Sequence, residues 1–501
     1  MPGAVASAHP FSTAAGEEVL ARGGNAYDAT IAVSAALTVV QPHTNGLGAD
    51  FFAVVHDHGF RSINGSGWAA GAASPETFRR QGLRSVPRSG PLSALTVPGL
   101  VAAWTLLLPR TSRPLRNLLA PAVRWARDGF PASASLARAV ATTRRRADDD
   151  WRATYAGVRA GVRLRQPALA RALAAVGRDG PEAFYHGALA RRIARELRAK
   201  GTLLTERDLD DFRAEWTTPL RARYRNVDVY TTPPNSQGAT ALLWLRLLEP
   251  EALASASEPE FLATLVRTMR VAYRYRARYI GDPRYLPFPP ELLDPASPLD
   301  AGPDDPGPRT LGAGDTTAFS VWDGTVGVSA IQSNYMGFGS GVSLPSTGIN
   351  LNNRGSYFSL DPEHPNCLAP GKRTFHTLMS VIASAPGRDV LLGSMGGDVQ
   401  PQVHVQVLTR IFDREATLRA AIAAPRFAYP ATIYGDAELF AEPGLELPRA
   451  RRIRGDRSMF GHAHGIDCGT SPEVGIDPRG DGARPVAFRA ARPRRTRSGQ
   501  R

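Results

Sequence analysis

The segment Asp315-Thr316-Thr317-Ala318-Phe319-Ser320-Val321-Trp322 runs into Asp323-Gly324, and Val326, Val328 and Ile331 follow. Thr317, Phe319 and Val321 alternate on one face, Asp-Gly supplies a tight turn, and the alternation resumes in the second arm. This pattern predicts a β-hairpin with a threonine at its open end. A Thr-Thr pair opening a strand is ordinary β-branched chemistry. It has a second use if the bond between Asp315 and Thr316 is cut. The freed α-amine titrates near neutral pH and can take the proton of its own residue's hydroxyl, so one residue carries nucleophile and base.

The neighbouring segments favour a site. Gln332-Ser333-Asn334-Tyr335-Met336-Gly337-Phe338-Gly339-Ser340-Gly341 has the composition of a loop passing close to a ligand. Ser346 to Gly355 clusters amides, including Asn352 and Asn353, with Arg354, as a polar pocket wall would. Val390 to Asp398 is an apolar run ending in Gly396-Gly397, with Asp398 able to cap a helix. Val403, Val407 and Ile411 then recur every four residues, a helix beginning near Asp398 with Pro401 in its first turn. Strand, glycine pair and helix start aim backbone N–H groups at one point, where an oxyanion can sit. The pair can equally be a plain strand-to-helix connection.

The chain resembles the γ-glutamyltransferase family of amino-terminal nucleophile hydrolases. The resemblance runs through Ala8-His9-Pro10, Gly23-Gly24-Asn25-Ala26-Tyr27-Asp28-Ala29, Gln41-Pro42-His43, Gly46-Leu47-Gly48, Thr232-Pro233-Pro234-Asn235-Ser236-Gln237-Gly238, the Thr316 segment, Pro370-Gly371-Lys372-Arg373, Gly396-Gly397 and Asp477-Pro478-Arg479. It implies an α+β fold, a four-layer αββα sandwich. Helical patterns at 13–22 and 25–40, the latter with a capping-box analogue from Asn25 and Asp28, alternate with strand-like runs at 51–56, 318–322, 377–383 and 390–394. It also implies self-cleavage at Asp315-Thr316, giving a large segment 1–315 and a small segment 316–501 that stay associated, with Thr316 as nucleophile. Gly396 and Gly397 would form the oxyanion hole, Thr377 would supply a neighbouring hydroxyl, and Ser333 or Asn334 would hold the α-amine. His376 stands where the family has a second hydroxyl. Family chemistry needs no metal and no cofactor.

Two departures bear on the substrate. Family members that grip a γ-glutamyl α-carboxylate use a large-segment Arg, and the matching stretch here, Asn64-Gly65-Ser66-Gly67-Trp68-Ala69, has none. No carboxylate follows Asn352-Asn353 to hold the α-ammonium, the next residues being Arg354, Gly355, Ser356, Tyr357 and Phe358. An unpaired ammonium facing Arg354 in a closed pocket costs several kcal/mol, whereas Arg354 suits a bidentate carboxylate. The expected activity is hydrolysis of a small amide whose acyl part carries a carboxylate, with Arg354, Asn353, Tyr357 and His376 lining its site, as in the oxamate amidohydrolase branch. Two alternatives stand beside it: an ordinary γ-glutamyl hydrolase or transpeptidase, and an uncleaved, non-catalytic relative. Irregular reading over Ala431 to Ser458 motivates the latter.

Lys+Arg of 60 against Asp+Glu of 46 gives a net charge of +14, but Lys200 and Lys372 are the only lysines. That skew reads as base composition, not as a phosphate footprint, so no nucleic-acid partner is expected. Only residues 489–501 are basic without compensation, a tail expected to be disordered. The stretch 287–307 is rich in Pro and Asp, a loose approach to the scissile bond. Cys367 and Cys468 make no disulfide framework, and the start lacks a basic head and apolar stretch. Together they point to the cytoplasm without membrane attachment. His462 and His464, lacking a carboxylate or Cys partner, are not expected to bind metal. His404 is expected to pack its helix, and Gln400 and Gln402 to be helix-surface amides.

Overall fold

The computed structural model describes residues 3–299, 315–429, 438–455, 457–469 and 471–483. The basic tail 489–501, residues 300–314 ahead of the scissile bond, and residues 431–437 and 456 of the stretch 431–458 lie outside the described residues.

Among the described residues, twelve strands form two six-stranded sheets. They are β1 (Ala4–Ser7), β2 (Asp50–His56), β3 (Phe60–Gly65), β4 (Glu215–Thr217), β5 (Leu220–Tyr224), β6 (Val227–Thr231), β7 (Asp315–Trp322), β8 (Gly327–Tyr335), β9 (Ser380–Ala385), β10 (Arg388–Met395), β11 (His462–Asp467) and β12 (Glu473–Ile476). The first sheet runs β1-β7-β8-β2-β3-β4 and the second β12-β11-β10-β9-β6-β5. The expected hairpin is β7-β8, antiparallel with Gly327 opposite Trp322, and its register shifts between Gln332 and Tyr335. A bulge there turns the end of β8 just where Thr316 needs a neighbour.

The central strands β2, β7, β8, β9 and β10 are buried on nearly their whole length, both faces covered. Phe319, Val321 and Val328 pack outward with Ile31, Val33 and Leu37 of α2 (Ala26–Val40), the helix that follows α1 (Pro10–Ala21). Val381, Val390 and Leu392 pack with Leu243, Leu265 and Val407 from helices on the other side. Between the sheets lie Ala6, Val54, Trp322, Ile382, Leu391 and Ile466, with a second cluster of Phe52, Ala318, Ile331 and Leu378. The fold is therefore the expected αββα sandwich. Burying each of the large aliphatic and aromatic chains contributes about 1.5–3 kcal/mol. The sheets approach so closely that a Cβ on Gly393 would stand 2.8 Å from that of Ala318. Because side chains alternate along a strand, Thr316 shares the inter-sheet face with Ala318.

The capping box starting α2 is present: Asn25 and Asp28 each accept from the other's backbone N–H. Asp398 does not cap a helix as expected. A 3₁₀ turn over Gly397–Val399 precedes the helix Gln400–Phe412, whose N-cap Val399 has no side-chain bond, while the Asp398 carboxylate meets Arg276 at 2.8 Å. Val403, Val407 and Ile411 are buried, as their spacing requires. Thr377 precedes β9 instead of lying within a strand. Among the described residues, no helix is long and apolar enough to cross a membrane.

Candidate active site

Thr316 is 3% exposed at the start of β7, and its hydroxyl donates to Ser333 Oγ at 3.2 Å. Ser333 Oγ in turn donates to the carbonyl oxygen of Asp315 at 2.8 Å and accepts from Tyr335 N at 2.7 Å. The bulge makes this possible by bringing Ser333 Oγ and the Tyr335 amide to the same point. Ser333 thus touches both the candidate nucleophile and the carbonyl of the bond preceding it. Asn334 sits beside it with its side-chain Oδ1 and Nδ2 buried and without partners among the described residues. Asn353 reaches the same bend, its N–H donating to Asn334 O at 3.2 Å and its Oδ1 accepting from Met336 N at 3.1 Å.

Ser333 lies opposite Asp50 in the β8-β2 ladder, and Asp50 leads to the second group of expected residues. His376 Nδ1 accepts from Leu378 N, so its proton is on Nε2, which donates to Asp50 Oδ2 at 3.0 Å. Burial, reinforced by the Arg354 charge, pushes the His376 pKa down to about 4, so the ring is neutral. Arg354 is 1% exposed, its Nη1 donating to Thr377 Oγ1 at 3.0 Å and its Nε lying 3.7 Å from Asp50 Oδ2. Its guanidinium stands 4.5 Å from the Tyr335 ring centre and 5.4 Å from that of Tyr357. Among the described residues, Arg354 Nε and Nη2 have no hydrogen-bond partner. These two nitrogens form one edge of the guanidinium fork, which matches a carboxylate.

At the glycine pair, Gly396 has φ 136° and Gly397 φ 56°, values that favour glycine. Gly396 O accepts from Val399 N at 3.1 Å, and Gly397 O accepts from Gln237 Nε2 at 2.9 Å. In a planar trans peptide the following N–H points opposite to the carbonyl, so these bonds fix the Gly397 and Asp398 N–H directions. Gln237 Nε2 also donates to Thr377 O at 2.7 Å, while Gln237 Oε1 accepts from Arg276 Nη1 at 3.0 Å. One connected set therefore joins Thr316, Ser333, Asp50, Arg354, Thr377 and the Gly397 turn. Asp50, Gln237 and Arg276 carry no expected role in the sequence reading. Gln237 is nevertheless inside the polar run Thr232 to Gly238, the one signal that could have raised it.

His404 packs as expected, bonding Gln400 O at 2.8 Å. Gln400 and Gln402 are not surface amides: both are buried, Gln400 Oε1 accepting from Met379 N and Gln402 Oε1 from Tyr429 N. His462 and His464 line a cavity beside Thr316.

Burial holds His9, His43, His376, His404 and His464 each at about 4. The unfolded chain protonates these rings as pH falls below 6.5 whereas the folded chain resists until about 4. Stability is therefore complete above 6.5 and is lost across that window. The slope is up to about 1.4 kcal/mol per pH unit for each proton taken up only by the unfolded chain. Thermal midpoints should hold from pH 7.5 to about 6.5 and fall from there to about pH 5; a profile flat throughout would contradict the neutral, buried rings.

The sequence model of the family described as Gamma-glutamyltranspeptidase matches residues 12–486. An oxamate amidohydrolase proenzyme of Klebsiella pneumoniae is 37% identical over 518 residues, covering 96% of this chain and 98% of that protein. A glutathione hydrolase-like YwrD proenzyme of Bacillus subtilis is 35% identical over 96% of this chain and 97% of its own length. The crystal structure of cephalosporin acylase from Bacillus halodurans superimposes with a TM-score of 0.88 at 32% identity, covering 96% of this chain and 95% of that one. With the sandwich, the threonine and the glycine turn in place, the chain belongs to the gamma-glutamyltranspeptidase family of enzymes.

Proposed function

We propose that the chain cuts itself between Asp315 and Thr316, and that the product hydrolyses a small amide whose acyl part carries a carboxylate, through an acyl ester on Thr316 Oγ. The observation that carries the first half is the Ser333 hydroxyl, bonded at once to Thr316 Oγ1 and to the Asp315 carbonyl oxygen. In the uncut chain, Thr316 Oγ attacks the Asp315 carbonyl carbon, and Ser333 stabilises the charge growing on its oxygen. The peptide C–N bond breaks, its nitrogen takes a proton to become the Thr316 α-amine, and water hydrolyses the resulting ester. Segments 1–315 and 316–501 result, and the shared sandwich keeps them together. The relatives named as proenzymes favour this processing.

In the cut enzyme the α-amine, positioned by Ser333 and the free amide of Asn334, accepts the Thr316 hydroxyl proton. Oγ adds to the substrate carbonyl, N–H groups of the Gly396-Gly397 turn take up the oxyanion, and the C–N bond breaks as the nitrogen leaves protonated. Water then releases the acid. The unbonded edge of Arg354 takes the substrate carboxylate, with Tyr335 and Tyr357 walling the charge from water and Asn353 fixing the loop. Asp50 is a poor receptor for a glutamyl α-ammonium, because Oδ2 already accepts from His376 and Oδ1 from Gly67 N at 2.9 Å. This favours an oxamate-like donor over a glutathione-like one.

Ser333→Ala removes one donor to the developing oxyanion, so self-cleavage should slow by about 10²-fold. The time course of the two fragments by intact mass measures it; cleavage at the wild-type rate would remove Ser333 from the mechanism.

A further inference from the structure

A cavity of about 260 Å³ opens beside Thr316, and Gln41, His43, His462 and His464 contribute to its walls along with Met395. Its position follows from the topology. Gln41 and His43 lie in the loop after α2, His462 and His464 on β11, and Met395 ends β10 just before the glycine turn. Arg354, Asp50 and Thr377 belong to the other flank, toward β2 and β9. Thr316 stands between the two.

The cavity walls carry buried polar atoms that no group among the described residues satisfies: Gln41 Oε1, His43 Nδ1, His462 Nε2 and His464 Nδ1. Gln41, His43 and His464 are at most 5% exposed. Buried polar groups without partners are expensive and rare, and four around one cavity describe a surface built to be covered by hydrogen-bonding matter. Gln41 is held in place, its Nε2 donating to Ala8 O at 3.1 Å, which leaves Oε1 as a fixed acceptor. Burial keeps His43 and His464 neutral, so each ring offers one donor and one acceptor. Water's share of liquid volume is about 30 Å³, so the space takes a group well beyond ammonia in size.

We infer that this cavity is the leaving-group subsite, in which Gln41, His43 and His464 select amides whose departing nitrogen is a small polar amine, from ammonia to amino-acid size, over aromatic amines. This rests on Thr316 being the nucleophile and Arg354 holding the acyl part. With the acyl carboxylate on the β2 flank, the scissile nitrogen points to the opposite flank. When the tetrahedral intermediate collapses, the C–N bond breaks and the nitrogen takes its proton from the Thr316 ammonium. Gln41 Oε1 then accepts an N–H from the departing amine, and the acyl group stays on Oγ.

The test compares two donors with one acyl part, a primary amide and an anilide, on wild-type enzyme and on Gln41→Met and His464→Asn, each first checked for self-cleavage and thermal midpoint. The wild type should prefer the primary amide, and each variant should shift the ratio of kcat/KM values at least tenfold toward the anilide. A ratio that stays within twofold, or both donors falling in parallel, overturns the assignment. If His464→Asn does not fold, Gln41→Met decides. Should the wild type reject carboxylate-bearing amides, the acyl reading fails separately, and the same pair of leaving groups is compared on whichever acyl part it does accept.

Discussion

Thr316→Ala should leave a single uncut chain of 501 residues and lower amide hydrolysis by about 10⁴-fold or more, to what positioning and the proposed oxyanion turn provide without a nucleophile. The substitution is small enough to isolate the chemistry. It removes a hydroxyl and a methyl from a buried strand position, while Ser333 still donates to Asp315 O and accepts from Tyr335 N, so no buried donor is orphaned. The fold should persist, with far-ultraviolet circular dichroism unchanged. Thr316→Ser keeps both hydroxyl and α-amine and should still cut itself and retain activity. Intact mass after prolonged incubation and turnover of a carboxylate-bearing amide are the two readouts. The decisive contrary result is hydrolysis by protein that remains one polypeptide, because a threonine without a free α-amine has no base of its own here. His376 cannot stand in: its Nε2 proton is committed to Asp50 and its Nδ1 to the Leu378 amide.

The parts of this site that were legible in the sequence are those set by local pattern. The alternation from Thr317 to Val321 and the Asp323-Gly324 turn announce β7-β8, and Asn25 with Asp28 announces α2, because a strand period and a capping box are completed within a few residues. Ser333 was legible only as one of a pair with Asn334. What separates them is the register shift after Gln332, which the sequence does not display. Asp398 reads as a cap because the preference of Asp for helix starts is local, whereas Arg276, far away in sequence, claims its carboxylate. Gln237 and Asp50 acquire meaning only when the sandwich closes. Gln237 then holds the Gly397 carbonyl, and Asp50 comes opposite Ser333. Arg354 stands out in the sequence for its charge in a polar stretch, but the engaged Nη1 and, among the described residues, the unbonded Nε and Nη2 are facts of packing.

Arg354→Met should lower kcat/KM for a carboxylate-bearing amide by roughly 10²-fold or more, since losing one partner of a desolvated, hydrogen-bonded charge pair costs about 2–5 kcal/mol. Met keeps much of the Arg stem's volume, so the ring contacts with Tyr335 and Tyr357 are largely refilled. Asp50 is not left bare, because His376 and the Gly67 amide still bind it. Arg354→Lys should recover only a small part of the loss. A lysine provides the charge, but cannot present two parallel N–H groups while a third holds Thr377. The comparison gains force from the donor. For an amide with the carboxylate replaced by a methyl group, wild type and Arg354→Met should differ little, because neither offers that donor a charge partner. Self-cleavage should continue in both variants, since Ser333 and Thr316 do not touch Arg354 directly. If instead the variants keep full activity on the carboxylate donor and γ-glutamyl anilides prove the better substrates, then Arg354 is a structural partner of Asp50. The head group would then have to be held elsewhere, and the glutamyl reading would replace the one argued from the unbonded edge of the guanidinium.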